Sequence, residues 1–274
     1  MNKRSLGARL AAAPYMVWSV LFVVAPLIMV GYYAITDSTG AFTVANFAQL
    51  GTYSDIFIRS IWFSLIATLI CLVIAYPIAY TIAMRRERSQ RVLVMLVMLP
   101  MWMNFLLRTY SWMAILEDTG VINTLIGYFG IKPFHMINTP GAVILGMVYN
   151  FLPYMILPIY SVLAKLERSM IEAAQDLGAG RFQVLTKIIL PHSMPGIASG
   201  LTMVFVPSVS TFYISQKLGG GKFDLIGDTI ERQFQTSYNY HLGAAISFVL
   251  MILILVCISV LNKFTVDDEG GLLI

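Results

Sequence analysis

The chain has 274 residues, of which 58% are apolar and only 12% charged, with a formal net charge of +4. Soluble domains carry roughly a quarter charged residues, so an ordinary soluble domain and a disordered chain are both excluded. The positive charge sits in short segments between long apolar runs, where it bears on membrane topology rather than on nucleic-acid binding.

A helix needs some 20 residues to cross a hydrocarbon core of about 30 Å. Six runs are long enough, near Ala11–Ala34, Ser60–Met84, Val92–Leu116, Gly141–Leu163, Ile197–Ser215 and Leu242–Leu261. They predict an all-α, polytopic membrane protein with six transmembrane helices in a single domain, residues 1–274. The first run is too long for the apolar region of a signal peptide and lacks a small-residue cleavage site, so it is expected to be retained. Cys71 and Cys257 fall inside predicted helices, with no disulfide framework and no metal-ligand spacing.

Several predicted helices carry polar or helix-bending residues. In the third, Asn104, Arg108 and Trp112 recur every four residues and are expected on one face. Arg108 lies about 24 Å along the helix from Arg91, at 1.5 Å per residue. It is therefore expected near an interface, where it snorkels or steadies a gate; Glu117 and Asp118 are the nearest carboxylates in sequence. In the fourth, Asn150, Tyr154 and Ser161 form a stripe bent by Pro153 and Pro158. The fifth holds Pro207, Ser208, Ser210 and Thr211. Such groups are costly against lipid, so they face protein or a wet path. Interhelical hydrogen bonding is the alternative role for Ser208, Ser210 and Thr211.

Between the fourth and fifth helices, residues of about 165–196 form a polar island. Ser169-x-x-Glu172 reads as a capping box, Met170–Leu177 as two helical turns, and Gly178 as the left-handed residue that ends them. Arg181–Leu190 reads as a second short helix, stopped by Pro191. Ala173 and Ala174 keep one surface thin for a close partner. With the N-terminus inside, the positive-inside rule puts Lys3, Arg4, Arg85, Arg86, Arg88, Lys165, Arg181 and Lys187 on the cytoplasmic side. Both termini and the polar island are then cytoplasmic.

Glu172-Ala173-Ala174, Gly178, and Ile188-Ile189-Leu190-Pro191 have the spacing of the EAA loop and resemble the permeases of ABC importers. Nearly the whole chain is similar to the bacterial spermidine/putrescine permeases. The resemblance is carried by Leu99–Asn104, Leu107–Tyr110, Gly120–Asn123, Thr139–Val143, Val148–Pro153, Pro158–Ser161, Phe212–Ser215 and Gly219–Gly221. It implies a type I ABC-importer permease core and a coupling role for Glu172, Ala173, Ala174, Gly178, Leu190 and Pro191. It further implies a second homologous permease, a dimer of ATP-binding subunits carrying ATP and Mg, and an extracytoplasmic polyamine-binding protein in a bacterial plasma membrane. The chain has no phosphate-binding Gly-rich loop, so no cofactor or catalytic residue is expected in it.

A polycation wants aromatic faces and carboxylates. Trp102, Tyr110, Tyr149, Tyr154, Tyr160 and Tyr213 are available in the spans, where they also suit interfacial anchoring. Of these, Trp102, Tyr110, Tyr149 and Tyr154 make the candidate path with Asn104, Arg108, Asn150, Ser208 and Thr211, and Glu117, Asp118, Asp224, Asp228 and Glu231 an external acidic set. Ferric iron or another small solute is the alternative cargo. A secondary transporter would need ion-coupling carboxylates or repeated broken helices, and a membrane hydrolase a Ser/His pair. His135, His192 and His241 all fall at edges or in loops.

Overall fold

The computed structural model describes residues 6–269. The helices run in the order α1 (Leu6–Ser19), α2 (Ala25–Ala34), α3 (Ala45–Ala48), α4 (Ser54–Ala83), α5 (Glu87–Trp102), α6 (Phe105–Leu116) and α7 (Val121–Tyr128). They continue with α8 (Pro140–Leu163), α9 (Arg168–Asp176), α10 (Arg181–Val184), α11 (Leu190–Val209), α12 (Tyr213–Leu218), α13 (Ile226–Gln235) and α14 (Tyr240–Glu269). Among the described residues there is no strand, only an isolated antiparallel bridge between Thr36 and Phe42. Five helical stretches are long and apolar enough to cross a membrane: Ala13–Ala34, Ala45–Ala83, Pro140–Leu163, Arg181–Ser210 and Tyr240–Val260.

A sixth crossing requires α5 and the α6–α7 segment together, and these are bent by 86°. The straight third helix expected from the sequence is therefore broken. Met103 and Asn104 are both extended, with ψ of 145° and 130°. The Asn104 side chain then accepts from the Leu106 amide at 2.8 Å and starts α6 as its N-cap. The fifth span also differs from its predicted limits. It begins near Arg181 and ends by Ser210, and Tyr213–Ser215 belong to the separate α12.

Two prolines are absorbed by the same device. Wide π turns cover Val20–Val24 and Leu185–Ile189, immediately before Ala25-Pro26 and Leu190-Pro191. The Ala25 amide reaches the Val20 carbonyl and the Leu190 amide reaches Leu185. An i→i−5 turn makes room for a ring that lacks an N–H and would crowd the preceding turn. Pro191 accordingly does not stop its helix: α10, the π turn and α11 are continuous.

The described chain falls into two compact units. One comprises the chain through Ser54 with Thr229–Ile254; its small core joins Ala34, Ala244 and Ala245 with Phe47, Phe234 and Phe248. Just past its first span, Asp37 Oδ1 accepts from Thr39 Oγ1 at 2.6 Å, from the Thr39 amide at 2.9 Å and from the Ala41 amide at 3.0 Å. The Thr39 hydroxyl above all holds this exposed carboxyl below its ordinary range.

The other unit, Asp55–Asp228 with the segment from Leu255, holds the main core. Its centre is the packing of α8 on α11. Gly196 and Gly200 are one turn apart, and a Cβ on Gly196 would lie 2.8 Å from the Pro158 carbonyl. A Cβ on Gly200 would lie 2.6 Å from Met155 Sδ. Small residues at this spacing let membrane helices approach closely without a hydrophobic driving force. On the same helix Tyr76 reaches across from α4 to Ser193 Oγ at 3.1 Å.

Candidate functional site

The polar hairpin starts with α9, whose N-cap is Glu167, two residues before the expected cap at Ser169. Ser169 lies inside the first turn and its hydroxyl donates to Glu167 Oε2 at 3.2 Å, so the Ser169–Glu172 capping box does not form. The C-terminal prediction holds. Gly178 has φ +85°, the Ala179 amide donates to the Ala174 carbonyl at 3.0 Å, and the Gly178 amide to Gln175 at 2.9 Å. This paired 6→1 and 5→2 arrangement is a Schellman closure. Gln183 Oε1 then accepts from the Gly180 amide at 3.0 Å and fixes the start of α10.

The closure decides which faces are free. Ile171 and Ala174 pack on the main core, whereas Glu172 and Ala173 are exposed. So are Leu177 and Phe182, at 89% and 76%. Two large apolar side chains held outward beside a polar turn are exposed apolar surface, which is uncommon without a partner. Neither was singled out in the sequence; the signal was an apolar residue beside the closing glycine and a Phe inside a polar hairpin. Beside Leu177 lies a cavity of about 250 Å³ lined also by Gly178, Ala179, Gln183, Lys187 and Ile188. Leu190 and Pro191 sit beyond the π turn, in the base from which the hairpin projects.

The residues expected along the path separate into two groups. Arg108 is buried and does not snorkel: Nη1 donates to the Pro100 carbonyl at 2.9 Å, and its guanidinium lies 6.0 Å from the ring centres of Phe105 and Tyr149. It thereby ties α6 to the C-terminal end of α5 across the break, where orphan carbonyls favour a cation. Trp112 meets Tyr149 edge-on at 5.2 Å, and Tyr110 meets Tyr213 at 6.2 Å. Lys217 Nζ stands 5.4 Å from the Tyr110 ring centre and 5.7 Å from that of Tyr213. Tyr110, Tyr149 and Tyr213 thus already face the chain's own cations.

Trp102 and Tyr154 remain exposed, as does Asn104 beside its capping bond. Asn150 is buried, donating to the Gly146 carbonyl at 2.8 Å, and its Oδ1 has no partner. Ser208 Oγ donates to Val204 within its own helix at 2.7 Å, and Thr211 lies in the turn after α11. Tyr160 donates to Gln90 Oε1 at 3.1 Å.

The residues of the acidic set differ in exposure and partners. Asp118 pairs with His135 Nδ1 at 2.8 Å on an exposed surface, and Glu117 is exposed. Asp228 is buried, and its Oδ2 accepts from the Leu225 amide at 2.7 Å, capping α13. Asp224 and Glu231 are half-buried. Among the described residues no His, Cys, Asp and Glu cluster could hold a metal ion.

Crossing helices, a break in the third span and a projecting helical hairpin define a multi-pass transport permease of the inner membrane. Residues 75–265 match the family described as binding-protein-dependent transport system inner membrane component, and the chain belongs to that family. It is 37% identical over 255 residues to the spermidine/putrescine transport system permease protein PotB of Haemophilus influenzae, covering 89% of this chain and 88% of that protein. Against PotB of Escherichia coli K12 the identity is 38% over 245 residues, covering 86% and 89%. The crystal structure of a bacterial ABC transporter that imports the acidic polysaccharide alginate shares the fold, with a TM-score of 0.77, 19% identity, and coverage of 97% of this chain and 96% of that one. The chain is thus an ABC-importer permease subunit.

Proposed function

We propose that this subunit forms one half of the translocation path of a polyamine importer, with spermidine or putrescine as cargo. The observation that carries the coupling half of the reading is the Schellman-closed hairpin that presents Glu172, Ala173, Leu177 and Phe182 outward. Near full-length similarity to two spermidine/putrescine permeases supports the cargo.

In this reading a second, homologous permease supplies the other half of the path. A pair of ATP-binding subunits, which hold ATP and Mg, grips the hairpin from the cytoplasm. An extracytoplasmic binding protein delivers the polyamine. Both chain termini lie on the cytoplasmic side, in keeping with the arginines and lysines around the hairpin. Closure of the ATPases on nucleotide moves the hairpin, and the α10–α11 continuity transmits that motion to the α8–α11 core. The pore binds cargo weakly, because its aromatic faces are engaged by Arg108 and Lys217. Affinity then belongs to the binding protein.

The test is ATP hydrolysis by the reconstituted complex. Binding protein loaded with spermidine or putrescine is expected to accelerate it, and ferric iron or inorganic anions are not. Trp102→Leu or Tyr154→Leu is expected to lower maximal uptake more than apparent affinity. Stimulation by iron alone would replace the cargo and leave the coupling reading intact.

A further inference from the structure

The short turn between α4 and α5 carries Arg85 and Arg86, and the first turn of α5 carries Glu87, Arg88 and Ser89, directly after a membrane-crossing helix ends at Ala83. It therefore lies at headgroup depth, in whichever leaflet the topology puts it. The turn is held firmly. Gln90 Nε2 donates to the Ala83 carbonyl at 2.8 Å and to Arg85 at 2.9 Å, which satisfies the open end of α4. Its Oε1 accepts from Tyr160 on α8 at 3.1 Å.

A cavity of about 700 Å³ opens at this turn, with Arg85, Arg86, Arg88 and Ser89 in its wall. Glu87, the carboxylate in the same turn, is exposed and is not part of that wall. Arg86 and Arg88 are exposed and take part in no ion pair among the described residues. Thr81 and Leu93 also line a second cavity, of about 500 Å³, so the two adjoin. That second cavity is apolar, walled by Pro77, Ile78, Ile82, Leu96 and Val97. From Ser89 to Val97 the combined groove runs about 12 Å along α5, at 1.5 Å per residue.

We propose that this groove between α4 and α5 is a binding site for an anionic phospholipid, with the phosphodiester held by Arg86 and Arg88 and an acyl chain laid along Ile78, Leu93 and Val97. Charge complementarity selects the occupant. Guanidinium forks match phosphate oxygens in pairs, and the amide end of α5 adds positive potential at the same point. A free anion would use the basic cavity and leave the apolar one empty, whereas an acidic lipid fills both. Basic pockets between membrane helices suit such headgroups.

The experiment uses the assembled importer, reconstituted in bilayers of equal phosphatidylglycerol and phosphatidylcholine and then washed in detergent. Retained lipid is identified by mass spectrometry. Wild type is expected to keep phosphatidylglycerol in clear excess. Arg86→Gln with Arg88→Gln is expected to reduce that excess on the order of tenfold, since each surface arginine contributes several-fold to anionic-lipid binding. Leu93→Trp fills the groove with the arginines intact and is expected to lower retention of the lipid as well. Inorganic phosphate at high concentration is expected not to displace it. Equal retention of both lipids by wild type would overturn the proposal whatever the variants do. So would efficient cross-linking of Ser89→Cys to the second permease, which would put protein in the groove. Neither outcome touches the cargo or the coupling hairpin.

Discussion

Arg108 shows how far one side chain can depart from what its place in a sequence suggests. Counting along an unbroken helix from Arg91 put it near an interface, free to reach water. Two extended residues at Met103 and Asn104 turn α6 by 86° and bring the guanidinium back onto the Pro100 carbonyl. Removing it leaves that carbonyl without its charged donor at a break that has little else to hold it. Arg108→Leu is expected to cost about 1.5–3 kcal/mol of stability, the range for a lost hydrogen bond to a charged group, read as a lower thermal midpoint of the detergent-solubilised complex. Arg108→Lys can keep a donor but not the planar contact with Phe105 and Tyr149, so it is expected to fall between. An unchanged midpoint for the Leu variant would mean that the break is held by Asn104 alone. Asp228 teaches the same lesson. Nothing in its neighbours distinguishes a loop carboxylate from one three residues into α13 that caps Leu225.

Helices were legible where local chemistry decides them. Gly178 could be read as a left-handed terminator because few other residues adopt φ +85° cheaply. Asn104 was legible as polar but not as an N-cap, because the apolar pattern runs through it without interruption. Pro191 was misread as a stop, since a proline does end a regular helix unless the turn before it widens, and no sequence signal marked the π turn. These readings make a contrast at the hairpin. Gly178→Val faces open space, so its cost is backbone strain alone, about 1–2 kcal/mol. It is expected to splay α9 from α10 and abolish uptake. Glu172→Ala changes an exposed side chain that caps nothing, so it is expected to leave the thermal midpoint unchanged while lowering ATPase association. Loss of stability in Glu172→Ala would restore a structural role to that carboxylate. Normal uptake by Gly178→Val would reduce the hairpin to a linker.

The all-helical, membrane-crossing character was legible throughout, because apolar run length against bilayer thickness is a whole-chain property that small boundary errors do not disturb. The α8–α11 packing was not, since Gly196 and Gly200 disclose a close approach only once a facing helix is known. Topology rests on the same long-range logic, through the distribution of Lys and Arg. Counting the bent pair as one crossing, both ends of the chain are expected on the cytoplasmic side together with the α4–α5 turn and the hairpin, and the loop after α13 is expected opposite. Single cysteines at Ser89 and Ser169, in a chain with Cys71 and Cys257 replaced, are therefore expected to react only when a membrane-impermeant maleimide reaches the cytoplasmic face. A cysteine at the exposed Thr236 is expected to react from outside intact cells. If the bent α5–α7 segment re-entered the membrane instead of crossing it, Ser169 would label from outside intact cells and Thr236 would share the side of Ser89. That pattern would place the hairpin out of reach of any cytoplasmic ATPase and end the coupling reading.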